Sequence, residues 1–237
     1  MRKVAFSWFV ACLGFGLASE ALAADLPVVR KAPPVAVAPV YNWSGLYAGG
    51  HAGYGWGRST WTDVAGLVGD DNTRHNINGA LAGLQLGFNV QQGAWVFGVE
   101  GDFSWADIKG SSLFDGVDPV ETKIRWLSTL TGRVGYAHGA WLPYVKGGAV
   151  WANERMTISL PLAPGAPITV TTDTRTGWTA GAGLEYGFTP NWSARIEYDY
   201  FDLGTSRAQS AFAGFPLDVK AHLHAVKFAL NYRFGWR

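Results

Sequence analysis

The chain has 237 residues, with 19 Lys and Arg against 18 Asp and Glu, 31 Gly, 12 Trp and a single Cys. A formal net charge of +1 lacks the basic footprint of a nucleic-acid or polyanion binder, and one thiol cannot make an internal disulfide. Much glycine and tryptophan, little charge and no convincing amphipathic helix argue against an ordinary soluble enzyme.

In chain order, residues 1–23 are expected to be a removable export signal. Arg2 and Lys3 give a positive start, no charge follows until Glu20, and Ala21-Leu22-Ala23 is a small-x-small cleavage site, setting the mature start at Ala24. Cys12 lies inside this signal, and the Phe9 that opens its segment suits lipoprotein processing poorly. Removing Arg2, Lys3 and Glu20 leaves 17 bases and 17 acids. Residues 24–42 carry prolines at 27, 33, 34 and 39, the composition of an extended linker. Residues 43–237 then suffice for one domain.

Within that domain, segments alternating with a period of two recur at approximately Gly45–Gly57, Asn78–Val90, Trp95–Ala106, Thr122–Ala137, Trp141–Asn153, Thr174–Phe188, Trp192–Leu203 and Asp218–Phe234. The gaps Gln91–Ala94, His138–Ala140 and Thr189–Asn191 are tight turns. Those at Arg58–Ile77, Asp107–Glu121, Glu154–Asp173 and Gly204–Leu217 are long and rich in Gly, Pro or Asp. Eight strands with short and long connections in alternation predict an all-β, antiparallel, up-and-down transmembrane barrel.

In the third segment Trp95, Phe97, Val99, Phe103 and Trp105 share one face, and Glu100, Asp102 and Ser104 share the other. The polar faces of all strands together carry Glu100, Asp102, Glu185, Glu197 and Asp199 against Arg125, Arg133, Lys146, Arg195, Lys227 and Arg233. Such near balance is what a closed interior requires, because an unpaired buried charge costs several kcal/mol. Glycines such as Gly83, Gly87, Gly181 and Gly183 on those faces leave room for long side chains in a narrow lumen. The aromatic face is therefore expected to meet lipid and the charged face the lumen, with Glu185 the first-choice partner of Arg195. Trp43, Trp95, Trp141 and Trp192 open the odd strands as a predicted periplasmic girdle, and Trp56, Trp105, Trp126, Trp151, Trp178 and Tyr200 form a predicted outer one.

The segment YNWSGLYAGGHAGYGWG after a Pro-rich linker resembles the small outer-membrane β-barrels of alphaproteobacteria, the porin-family proteins with an OmpA-like barrel. The resemblance runs from Tyr41 to Phe234, and Lys227, Ala229, Tyr232 and Phe234 resemble the terminal barrel-assembly signal, with Ala229 where glycine is usual. Gly235-Trp236-Arg237 extends past the usual terminal aromatic. The resemblance implies a bacterial outer-membrane protein of the cell envelope. Its long loops are expected outside and both termini in the periplasm, with roles in envelope integrity and host interaction. Expected partners are membrane lipid and lipopolysaccharide, the barrel-assembly machinery, and host or surface ligands at the loops. Some members are porin-like or haem-binding.

No base–nucleophile pair or clustered ligand set stands out, so no enzyme activity, metal or cofactor is expected. His222 and His224 share a strand face near the outer rim, where a haem or metal role competes with plain solvent or headgroup contact. Asp70-Asp71-Asn72 reads as a turn rather than a Ca²⁺ loop. Three functions stay open. The first is a structural and surface-interaction barrel plugged by side chains, the second a narrow channel, and the third a soluble lipocalin-like barrel with its faces inverted.

Overall fold

Strands with one apolar and one charged face need two unlike surroundings, and closure into a barrel supplies both while leaving no unpaired edge. A computed structural model describes residues 41–63, 73–114, 118–159, 167–209 and 216–235. These residues form eight strands: β1 (Gly45–Asp63), β2 (Thr73–Gln92), β3 (Trp95–Phe114), β4 (Asp118–Tyr136), β5 (Trp141–Ser159), β6 (Pro167–Gly187), β7 (Trp192–Gln209) and β8 (Pro216–Phe234). Each pairs antiparallel with its neighbours in sequence, and β8 returns to β1. The expected export signal, Asp70-Asp71-Asn72 and all of the linker except Tyr41 and Asn42 lie outside the described residues.

The odd strands after β1 begin on Trp95, Trp141 and Trp192 as expected. At this end the connections are tight, and Gly93 and Gly139 take φ of +62° and +59°, a backbone state that glycine enters without a Cβ penalty. The far ends differ from expectation. Arg58, Asp107, Glu154 and Gly204 do not start loops but sit inside β1, β3, β5 and β7. Strands of 18 to 21 residues are about twice the 9–11 needed to cross a bilayer. The apolar-out pattern ends there because the outer face leaves hydrocarbon and takes polar residues such as Arg58, Lys109 and Arg155, while the backbone ladder continues within each hairpin.

Facing is set by parity. Phe228, Val99 and Leu84 are 59 to 60 % exposed on the outer wall, whereas Glu100, Arg195 and Lys227 are buried inside. One predicted lumen residue breaks the rule. Arg125 is exposed on the outer wall, because the register of β4 slips between Ile124 and Trp126. The extra residue in that bulge re-phases the strand: Leu127, Thr129, Thr131 and Arg133 point inward below it, and Ile124 and Thr122 above it.

Candidate functional site: the closed interior

The interior is stacked in three zones along the barrel axis. At the end with tight turns, Trp43 is fully buried and packs with Val96 and Leu142. It does not join Trp95, Trp141 and Trp192 in the expected periplasmic girdle on the outward wall. It precedes β1, so the chain entering the barrel mouth folds it inward. The Arg233 guanidinium lies 4.6 Å from the Tyr41 ring and 4.9 Å from the Trp43 ring. It also donates to the Tyr41 hydroxyl at 3.0 Å and to the Asn42 carbonyl. Burial pushes the Tyr41 phenol above its ordinary pKa, against the pull of Arg233. Arg233 thus belongs to an aromatic plug.

The middle zone is ionic. Arg133 donates to Glu185 at 3.1 Å and to Asn89 at 2.9 Å, and Ser193 and Asn231 complete the Glu185 carboxylate. Arg195 does not pair with Glu185, although the two face each other in the β6–β7 register. It reaches Glu100 instead, with Nη1–Oε2 at 2.5 Å and Nη2–Oε1 at 3.1 Å. Lys146 and Lys227 share Glu197 and Asp199, with Lys146–Glu197 and Lys227–Asp199 both at 2.6 Å. Asp102 lies 3.9 Å from Lys227 and accepts a bond from Thr129.

Two tyrosines that the sequence reading missed bind this network. Tyr47 donates to Glu100 at 2.6 Å and Tyr144 to Glu197 at 2.5 Å. Arg133 sits over both rings, 4.6 and 5.3 Å from their centroids. Gly87 and Gly183 make the space, since a Cβ at either would overlap the Tyr47 or Tyr144 hydroxyl. Their polar-face parity could have revealed these tyrosines, but aromatic residues read as lipid-facing by habit. His51, held by Gln85 at 2.6 Å and Ser104 at 2.8 Å, adds a further polar group beside the charges.

Toward the other end the lumen turns apolar. Ile77, Leu81, Ile108, Ile124, Phe201 and Leu223 form a buried cluster across the barrel. Beside it, with Glu154 opposite Ile124 and Arg175 opposite Ala152 in the ladders, these two make a buried ion pair at 2.6 Å; Glu154 fell in a region expected to be loop and Arg175 at the start of the expected sixth strand. The charged zone therefore has an apolar or aromatic layer on both sides, and burial between such layers strengthens its ion pairs by lowering the local dielectric.

On the outer wall Trp95, Trp141 and Trp192 point outward at the end with tight turns, each against a tyrosine on the next strand: Tyr136, Tyr186 and Tyr232. At the other end Trp56, Trp105 and Trp178 are exposed, and Trp126, Trp151 and Tyr200 are half-buried on the same wall. His222 and His224 are half-buried there as well, bonded through Nδ1 to the hydroxyls of Tyr200 and Tyr198 at 3.0 and 2.7 Å. On β8, Lys227 and Ala229 face the lumen and Tyr232 and Phe234 the outer wall.

An apolar outer wall around a charged, closed interior is the arrangement of a barrel immersed in lipid. A family model described as the outer membrane protein beta-barrel domain matches residues 10–234. The chain belongs to this outer-membrane β-barrel family. The barrel is 32 % identical over 243 aligned positions to a 31 kDa outer-membrane immunogenic protein of Brucella melitensis, covering 96 % of this chain and 99 % of that one. It is 33 % identical to a 25 kDa outer-membrane immunogenic protein of Brucella abortus, covering 91 % of this chain and 92 % of the relative. A 22 kDa outer membrane protein of Rhizobium leguminosarum is 31 % identical, with 70 % of this chain and 67 % of that one covered. Among solved structures, OprG from Pseudomonas aeruginosa is similar at a TM-score of 0.49 and 12 % identity, covering 81 % of this chain and 97 % of that one. This chain is thus an outer-membrane barrel of the alphaproteobacterial group anticipated from its NWSG opening.

Proposed function

We propose that this outer-membrane barrel is a non-enzymatic structural and surface-display protein whose lumen is plugged by its own side chains. The observation that carries the reading is the ionic zone between Arg133 and Lys227, where each charged side chain is ion-paired with another, flanked by the Trp43–Arg233 plug and the Ile108–Leu223 layer. An ion crossing it must displace charge-assisted pairs in a water-poor interior, each of which is strong where it stands. The relatives are named immunogenic proteins, which supports display of the long connections at the cell surface with both termini in the periplasm. Outer-leaflet lipid is then the wall's natural partner, and Tyr232 and Phe234 at the end of β8 remain the proposed handle for the assembly machinery. The two rings of indoles and tyrosines are read as the interfacial girdles of that membrane.

Purified barrel reconstituted in planar bilayers should give no steady single-channel conductance. A steady wild-type current overturns the plugged reading in favour of a narrow channel. Protease added to intact cells should cut within 64–72, 160–166 or 210–215 and spare the tight turns. The reverse pattern inverts the topology.

A further inference from the structure

The outer wall beyond the tryptophans is not uniform. In the β3–β4 register Lys109 stands directly opposite Lys123, and in the β4–β5 register Lys123 stands directly opposite Arg155. All three point away from the lumen, since Ile108, Ile124 and Glu154 beside them are the buried residues. The bulge that turns Arg125 outward adds a fourth cation just below. Like charges set opposite each other across strands repel and destabilise the ladder, so such a row asks for an anion.

The described residues supply only part of one. Asp107 bridges Lys109 at 2.9 Å and Lys123 at 3.2 Å, and the exposed Glu121 lies two residues beyond Lys123 on the same wall. Among the described residues four cations against two acids leave the patch positive. Arg155 and Arg125 are both exposed, and guanidinium groups are suited to two-pronged binding of phosphate oxygens.

Height identifies the anion. Lys109 and Arg155 lie four positions after Trp105 and Trp151, and Lys123 three before Trp126 on the oppositely running strand, each about 10–13 Å beyond its tryptophan at roughly 3.3 Å per residue before tilt. Indoles settle at the edge of the hydrocarbon, so the cations stand at the level of lipid headgroups, within the reach of long side chains. We propose that Lys109, Lys123, Arg125 and Arg155 form a binding site for the phosphate of a phosphorylated glycolipid in the outer leaflet. This rests on the reading above that the long connections face outward.

Native mass spectrometry of the detergent-purified, full-length barrel with bis-phosphorylated lipid A tests it. Wild type should keep one lipid A molecule, and Lys109→Gln/Lys123→Gln/Arg155→Gln should bind it at least tenfold more weakly. Arg58→Gln/Lys220→Gln, which removes exposed cations from β1 and β8, should bind as wild type. Asp107→Asn, which removes the competing carboxylate, should bind more tightly than wild type and guards against a misfolded triple variant. Dephosphorylated lipid A should bind no better than the triple variant binds the intact lipid. Equal binding by wild type and the triple variant, equal loss in the Arg58 and Lys220 control, or indifference to dephosphorylation overturns the site. Displacement by millimolar inorganic phosphate overturns the lipid assignment in favour of free phosphate. Binding in detergent is independent of orientation, so loss of binding with loops outside defeats the site alone. Intact binding with the loops inside defeats the topology and the outer-leaflet source together.

Discussion

Arg195 and Glu100 clasp each other from β7 and β3, strands that share no ladder, through two hydrogen bonds of 2.5 and 3.1 Å. Glu100 is also bonded by Tyr47 and lies 3.8 Å from Lys146. Removing one partner leaves the other charged and buried. Arg195→Met should therefore cost about 3–5 kcal/mol, and Arg195→Met with Glu100→Gln should cost less than the two single changes summed. Arg195→Met with Glu185→Gln should come out nearer to additive. Urea unfolding in detergent micelles, run as a double-mutant cycle, measures both couplings.

The bulge at Arg125 separates two arginines that the sequence placed together. Arg125→Gln lies on the exposed wall and should stay within about 0.5 kcal/mol of wild type. Arg133→Gln withdraws the partner of Glu185 and Asn89 and should cost about 3–5 kcal/mol. The same unfolding assay ranks them, and equal effects would contradict the re-phased strand.

Lipid contact is read by charge at the outer wall. Phe228, 60 % exposed, replaced by Arg should cost about 2–4 kcal/mol near the membrane midplane. Its neighbour Ala229 faces the lumen, where serine finds polar company, so Ala229→Ser should be mild. Refolding yield into lipid vesicles, followed by the gel shift of the folded barrel, distinguishes them.

Trp43 offers an optical test. Brominated lipid chains quench indoles that touch them, and Trp43 is buried inside the mouth while Trp105 is 58 % exposed. Trp105→Phe should lower the fraction of fluorescence that brominated lipid removes. Trp43→Phe should raise it slightly, because a protected emitter is gone.

Much of this architecture was legible because a barrel writes its faces into the sequence at every second residue. The strand count, the starts of β3, β5 and β7, and the charges of β6 to β8 all follow from parity. What parity cannot carry is anything that breaks it or lies beyond it. Arg125 sits at an inserted residue, and no composition marks the β4 slip. Trp43 matches its three counterparts in sequence spacing, but its backbone lies before the first strand and is free to turn inward. Parity also says which side a residue faces and nothing of its reach across the lumen. Arg195 thus looked bound to Glu185 on the neighbouring strand, when a guanidinium spans the narrow interior to Glu100. The apolar Ile108–Leu223 layer was hidden for a related reason, since its outward neighbours, among them Asn76, Asn78, Lys109, Lys123, His222 and His224, are polar, so the apolar and polar faces exchange sides.

The ladders that run on past the tryptophans give each hairpin a rigid mast. A mast whose two strands stay paired with each other fixes the ends of whatever connection joins them, so lengthening that connection adds only a slowly growing entropic cost, about 0.6 kcal/mol per doubling. Residues at the mast tips can therefore be rewritten, lengthened or exchanged while the part of the molecule that must insert and stay inserted is left alone. Change in the connections and anchorage in the membrane are separate matters in such a barrel, and one can vary without disturbing the other.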